Sequence, residues 1–313
     1  MMHKAPFSFT ANGKLLLTGE YLVLKGAKSL ALPLRKTQRV EIIPEETNGH
    51  PLLAWYAFGP ENPWMKVLFE LPSLDIIHSP DQQKTVKLQS ILLTLKQLNP
   101  ALFDGSHSYK VRTQLDFDPE WGLGTSSTLI AALARWGGVD PYTLLRLSIG
   151  GSGYDIACAT AKAPIFFQLR NLRQEISKAG FYPAFAENLF FVYTGQKKDS
   201  SQGIIDFNRL TEDLDLEKET AMISALSEEA ATTTSFIRFC ELMDTHEKLL
   251  SALLKKPVIQ SQYPGFEGQL KSLGAWGGDF MLAMTQHNKQ EVVNFFSEKA
   301  SGIVFAYHEL VRS

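Results

Sequence analysis

Four short stretches of the chain interleave glycine with side chains that can handle an anion or a proton. The first, NGKLLLTGEY (Asn12 to Tyr21), sets Lys14 and Glu20 in an otherwise apolar pair of extended segments. The second, GLGTSS, comprises Gly122, Leu123, Gly124, Thr125, Ser126 and Ser127 and stands directly before the helix-like run TLIAALARW. A glycine loop ending in hydroxyl residues at a helix start offers free backbone N–H groups and the positive end of the helix dipole, which suit an anion. Serine and threonine hydroxyls there can also ligate magnesium. The Walker pattern GxxxxGK[ST] is absent, because no lysine follows the second glycine. The third stretch, GGSGYDIA (Gly150 to Ala157), brings Ser152 and Asp155 to a helix start, where the Asp155 carboxylate can cap the helix or accept a proton from a substrate hydroxyl. The fourth, GAWGGDF (Gly274 to Phe280), runs into FMLAM, and its glycines allow the backbone to approach a ligand closely. Each stretch has a plainer reading: a solvated hairpin, an N-capped helix after a tight turn, a capping aspartate, a turn before a strand. Their order in one chain is more specific than any one of them.

The elements that must hold these stretches follow from hydrophobic periodicity. Residues 7–24 are expected to form two strands around a glycine turn, and QRVEII another strand. PLLAWYAFG and WMKVLFEL form a hairpin across PENP, and SYKVRTQLDF alternates as a further strand. DQQKTVKLQSILLTLKQL carries Val86, Leu88, Ile91, Leu92, Leu95 and Leu98 at helical spacing. A helix is expected from Thr125 to about Trp136, and another from Asp155. PIFFQL and NLFFVYTG look like apolar strands. The chain turns mainly helical from about Glu212 to Lys255, and strands FMLAM and GIVFAY flank a helix in NKQEVVNFFSEKA. The whole indicates an α+β protein with a boundary near residue 165.

The 313 residues suffice for one large or two ordinary domains. With 44% hydrophobic and 20% charged residues a packed core is expected, and a net charge of -2 gives no sign of a nucleic-acid or membrane-surface partner. Cys158 and Cys240 form neither a disulfide framework nor a metal-ligand spacing, and both are expected as buried free thiols. The opening MMHKAPFSFT lacks a long apolar segment, and no run reaches the 18 or so apolar residues of a membrane helix, so a cytoplasmic protein is expected.

Taken together, the stretches resemble those of the GHMP kinase superfamily, which includes galactokinase, homoserine kinase, mevalonate kinase and phosphomevalonate kinase. The resemblance runs from about Asn12 to Ala283. NGKLLLTGEYLVLKGAKSLALPL is similar to the first family motif, with Asn12 where proline is usual; GLGTSS is similar to the second, usually GLGSS; GSGYDIACA resembles the segment bearing the catalytic aspartate; and GAWGGDF resembles the third motif, with Trp276 where glycine is usual. The string GYDIA also resembles a bacterial subgroup named for it. The resemblance implies the two-lobed GHMP α+β fold. Its βαβ-rich N-terminal lobe would occupy residues 1–165, with the ATP phosphate loop and the catalytic aspartate, and its ferredoxin-like C-terminal lobe residues 166–313. It implies ATP and Mg²⁺ as cofactors, Asp155 as catalytic base and Lys14 as electrostatic stabiliser. Gly122 to Ser127 would hold the phosphates, and Ser126 is the first choice for the metal, with Thr125 and Ser127 next. Ser152, Lys197, Lys198, Gly277, Gly278 and Glu20 would serve the acceptor.

Two details lean toward the phosphomevalonate kinase branch. Asp279 in GAWGGDF is similar to the GGGD of that branch, and YTGQKKDSSQGI resembles its TG…SS stretch, where Lys197 and Lys198 can meet a phosphorylated acceptor. A solvated loop is the plainer reading of that stretch. SLALPL is instead similar to mevalonate kinase. The glutamate that holds magnesium in mevalonate kinases has no counterpart, since VDPYTLLRLSIGG offers only Asp140. The reading is therefore a mevalonate-pathway kinase, phosphomevalonate ahead of mevalonate, with another small acceptor or a catalytically silent nucleotide-binding protein as alternatives. It would be a monomer or homodimer with no nucleic-acid or membrane partner.

Overall fold

The computed structural model describes residues 5–47, 49–198 and 200–313. The opening MMHK, part of the argument against a signal peptide, and the aspartate within QKKDSS lie outside the described residues. The chain divides into two compact units.

The first unit comprises the residues up to Gly13, Lys36–Pro119 and Leu123–Thr160. Its sheet is built from β2 (Ser29–Glu45, of which the second half lies here), β3 (Leu52–Phe58), β4 (Pro63–Glu70), β5 (Ile76–His78) and β6 (Ser108–Leu115) in the order β5-β4-β3-β6-β2. The β3–β4 hairpin is antiparallel with Trp55 opposite Val67, and β2 runs antiparallel to β6 with Ile42 opposite Val111. Between β3 and β6 the pairing is parallel, the chain crossing over through α1 (Gln82–Leu98). Alternation sends Leu53, Trp55, Ala57, Met65, Val67 and Phe69 into the core, where they meet α1, α2 (Thr125–Gly137) and α3 (Pro141–Ser148). Asp81 caps α1 by accepting from Lys84 N at 3.0 Å. The helix buries Leu88, Ile91, Leu92 and Leu95, whereas Val86, expected on that face, is 49% exposed. The five-residue α4 (Tyr154–Cys158) packs on α2.

The second unit comprises Lys14–Arg35, Glu120–Gly122 and Ala161–Ser313. The start of β2 pairs antiparallel with β7 (Ile165–Arg170), Leu30 opposite Phe166, and β7 with β8 (Arg173–Lys178). A second sheet has the order β10-β11-β9-β12, from β9 (Leu189–Tyr193), β10 (Gln269–Leu273), β11 (Phe280–Met284) and β12 (Val304–Ala306), with each neighbouring pair antiparallel. Helices α5 (Ser200–Leu210), α6 (Glu217–Thr232) and α7 (Phe236–Leu254) lie in sequence between β9 and β10, and α8 (Lys289–Ser297) between β11 and β12. Strand, helices, two strands, helix, strand along the chain, with that spatial order of strands, is the ferredoxin-like arrangement expected of this half. Every residue of β9 and β11 is buried, so both read as unbroken apolar runs. A short α9 (Tyr307–Leu310) closes the chain.

Three expectations need correction. β1 (Phe7–Leu16) is a strand, but YLVL does not continue as one; Leu22–Lys25 is a 3₁₀ turn closed by Gly26 at φ 93°. Cys158 is buried, but Cys240 is only half-buried. The compact units part at residue 161 rather than 166, and 14–35 and 120–122 go with the second unit.

Candidate active site

In the first unit the loop GLGTSS enters α2 through Gly124 at φ 106°, a conformation that glycine adopts without strain. Among the described residues no side chain caps this helix start. Ser127 Oγ instead donates to the Gly124 carbonyl at 2.9 Å, and Thr128 Oγ1 donates to Gln38 Oε1 at 2.6 Å. Gly124 itself is the N-cap, so the tight turn into a helix is present; the Ser127 and Thr128 hydroxyls turn to carbonyls and, among the described residues, no cap side chain accepts from the first-turn N–H groups. Among the described residues Thr125 Oγ1 is buried without a hydrogen-bond partner, a costly state unless something binds it. Ser126 is half-buried, and Leu123 is fully buried, so Leu123 can offer a ligand only its backbone.

Asp155 sits in the first turn of α4, half-buried, and its Oδ1 accepts from Ile156 N at 3.0 Å. The loop before it is tight. A Cβ on Gly153, at φ 93°, would come within 2.9 Å of the Tyr142 ring. Burial, then Asp140 and Asp155, push the Tyr142 phenol up to about 12, so that hydroxyl stays neutral. Ser152 is buried in the same loop. Asn12 explains its departure from proline: its N–H donates to Ala159 O at 2.9 Å and its Nδ2 to Cys158 O at 3.3 Å, which ties β1 to the end of α4. Proline could make neither bond. Asp140 caps α3 by accepting from Thr143 N at 2.7 Å, a structural task.

The second unit gathers another set. Lys14 Nζ donates to the Gly122 carbonyl at 3.0 Å. Gly122 has φ 67°, and a Cβ there would overlap the Asp279 carboxylate. Asp279 Oδ1 accepts from Lys198 N at 3.2 Å, and a Cβ on Gly278 would overlap the Lys198 side chain. Burial raises the Asp279 pKa, opposed chiefly by Lys14. Lys197 pairs with Glu120 at 3.3 Å. Trp121, next to Gly122, lies among Tyr193, Phe280 and Phe305, and Tyr193 OH donates to Glu120 O at 3.3 Å. The structure thus brings Lys14, Gly122, Lys197, Lys198 and Gly278 together around Asp279. Gly277, at φ 71°, has open space where a side chain would be.

Glu20 is placed elsewhere. It is neither a solvated surface charge nor open to a ligand, being 4% exposed with Oε1 accepting from Lys271 Nζ at 2.6 Å. Burial is the largest single influence and would raise its pKa; Lys271 leads the opposing influences, which together hold the carboxyl below the usual glutamate range. Gly19 N donates to His246 Nε2 at 2.8 Å, and burial lowers the His246 pKa, so the imidazole is neutral with its proton on Nδ1. The 3.1 Å approach of Glu20 Oε2 to that same nitrogen is then a contact between two acceptors. Next to this group Glu247 accepts from Ser272 N, Ser272 Oγ and Ile259 N.

Asp279, Glu120, Lys271 and His246 escaped the assignment of roles from sequence. A lysine in the middle of the strand QLKSL was the visible signal for Lys271; nothing local marked its partner 251 residues away.

No protein-family model matches the sequence, and no curated protein matches it. Solved structures do. Mevalonate kinase from Leishmania major, in complex with R-mevalonate, is similar with a TM-score of 0.69 at 16% identity, over 96% of this chain and 94% of that one. The chain has the GHMP kinase fold. Methanococcus jannaschii mevalonate kinase is similar with a TM-score of 0.68 at 17% identity, over 96% and 97% of the two chains. Streptococcus pneumoniae phosphomevalonate kinase, in complex with phosphomevalonate and AMPPNP, gives 0.66 at 15% identity over 96% and 98%. The GHMP fold expected from the four stretches is the fold observed. Among the described residues no helix is long and apolar enough to cross a membrane.

Proposed function

We propose that the chain is a kinase that transfers the γ-phosphoryl group of ATP to a small mevalonate-type acceptor, with 5-phosphomevalonate as that acceptor. The observation that carries this reading is the start of α2. Two left-handed glycines lead into first-turn N–H groups without a side-chain acceptor, and Thr125 Oγ1 is buried without a partner. That is a cradle for phosphate oxygens.

Phosphoryl transfer needs alignment and charge balance more than covalent help from the protein. The loop N–H groups hold the β- and γ-phosphates. Lys14 brings a positive charge to the loop at Gly122. The acceptor oxygen bonds to the γ-phosphorus, the bond to the β–γ bridging oxygen breaks, and its electron pair leaves on ADP. Asp155 takes the proton when the acceptor is a hydroxyl; when it is already a phosphate, the same carboxylate orients it. Magnesium suits the oxygens of Thr125 and Ser126, the unpartnered Thr125 hydroxyl above all, and would neutralise charge on the phosphates.

Lys197 and Lys198 support a phosphorylated acceptor. Replacing both with alanine should raise KM for 5-phosphomevalonate by about tenfold, the loss of one good charge contact, with KM for ATP unchanged. Equal changes in the two constants would remove them from the acceptor site. Mevalonate is the second reading, favoured by SLALPL and by the likeness to the Leishmania enzyme.

A further inference from the structure

The segment Gly19–Leu22 holds an unusual backbone. Tyr21 has φ 63° and ψ -50°, and Leu22 N donates to Glu20 O at 2.7 Å. That is the γ-turn of positive φ, rare and strained for a residue with a side chain. Such a conformation persists only where the surroundings over-determine it. Here both flanks are pinned: Gly19 N is held by His246 and the Glu20 carboxylate by Lys271. The result is that the Tyr21 side chain, 8% exposed, is held at one place. Its hydroxyl oxygen accepts from Trp276 N at 2.8 Å, inside the loop Gly274–Asp279. Its ring stacks on Phe207 of α5 with centroids 5.2 Å apart, and a Cβ on Gly203 would sit 3.1 Å from its oxygen. Burial raises its pKa, so the phenol is a neutral partner.

We infer that Tyr21 is a positioning residue, which fixes the loop Gly274–Asp279 through Trp276 N so that Asp279 meets Gly122. The loop is then held at both ends. Tyr21 fixes its start; Thr194 N, donating to Asp279 O at 2.9 Å, and Lys198 N, donating to Asp279 Oδ1, fix its end. Trp276 stands where the related motif has glycine because its side chain completes the same arrangement, buried with Tyr21, Leu22, Phe207, Leu250 and Leu254, while Nε1 donates to Pro257 O at 3.3 Å. The inference rests on the kinase reading for its effect on turnover, but not for its effect on the loop.

The test uses the full chain as Tyr21→Phe, which keeps the stacking and removes the acceptor of Trp276 N–H. Gly203→Ala is the second variant; it leaves Tyr21 intact and crowds its oxygen. Amide hydrogen exchange across residues 272–281 and acceptor-dependent ADP formation are read side by side. In Tyr21→Phe the Trp276 amide should exchange at least about tenfold faster, and kcat should fall by about tenfold to a hundredfold, with KM for ATP unchanged. Gly203→Ala should shift both in the same direction by less. Trp276 exchange unchanged in both variants would overturn the inference, as would faster exchange with kcat unaltered. Should the wild-type chain turn over no acceptor, the kinase reading fails, and the exchange result alone still decides whether Tyr21 holds the loop.

Discussion

At the scale of single residues, Asp155 and Thr125 carry the sharpest expectations. Asp155 is half-buried, and its Oδ1 accepts from Ile156 N in the first turn of a short helix. Asp155→Asn keeps size and hydrogen-bonding shape but removes the charge and the basicity. Turnover should fall by about tenfold to a hundredfold with 5-phosphomevalonate, the loss of an orienting contact, and by about 10² to 10⁴ with a hydroxyl acceptor, the usual range for a lost general base, while calorimetric binding of a non-hydrolysable ATP analogue stays intact. An unchanged rate would remove Asp155 from the chemistry. The two loop hydroxyls can be separated in the same way. Ser126 was the first choice from sequence, yet the structure leaves the Thr125 hydroxyl buried and unpartnered. Thr125→Ser should keep Mg-ATP binding and Thr125→Ala should weaken it by about tenfold, one lost ligand oxygen. A purely structural Thr125 would instead give an alanine variant with normal nucleotide affinity.

At the scale of elements, what was legible depended on how locally each one is specified. α1 announced itself through the period of its apolar residues, and the β3–β4 hairpin through two apolar segments on either side of a proline-rich turn. β10 and β8 did not. QLKSL hides its burial behind Lys271, whose charge is met by Glu20 from the far end of the chain, and RQEISK is a largely exposed strand whose polarity reads as loop. YLVL misled because a strained turn at Tyr21 overrides the strand preference of its neighbours. The site itself was half legible. The glycine loops stood out as glycine loops, but which of them must be glycine follows only from what lies against them. Gly122 is the clearest case, with φ 67° and the Asp279 carboxylate in the space of a side chain. Gly122→Ala should therefore abolish acceptor-dependent turnover and lower stability by about 1–3 kcal/mol, the usual cost of strain at such a position. Combining it with Asp279→Gly should recover part of the stability, because the overlap is then gone and only the backbone strain remains. No recovery in a urea titration of the double variant would place Asp279 away from Gly122.

At the scale of the whole chain, Glu20 and Lys271 join the first motif to β10 across a separation of 251 residues, which no local stretch of sequence could reveal. Their pairing predicts an acid dependence. The Glu20 carboxyl is held below its ordinary value of 4.5 in the folded state, so its contribution to stability is complete above that value and is lost as pH falls through the lower folded pKa. Glu20→Gln leaves Lys271 buried without its counter-charge and should cost about 3–5 kcal/mol near neutral pH. The gap between wild type and variant should narrow as the pH drops below 4.5, because the wild-type carboxyl then protonates as well. A gap in urea unfolding that stays constant from neutral to acid pH would show that Glu20 is not charged in the fold.

Whether the chain is a working kinase is tested most directly by magnesium-dependent ADP release from ATP. Mevalonate and 5-phosphomevalonate are run side by side against a blank without acceptor, with Asp155→Asn as the control. ADP release should depend on 5-phosphomevalonate and be slower in the control. ADP release no faster than the blank with either acceptor would contradict the kinase reading.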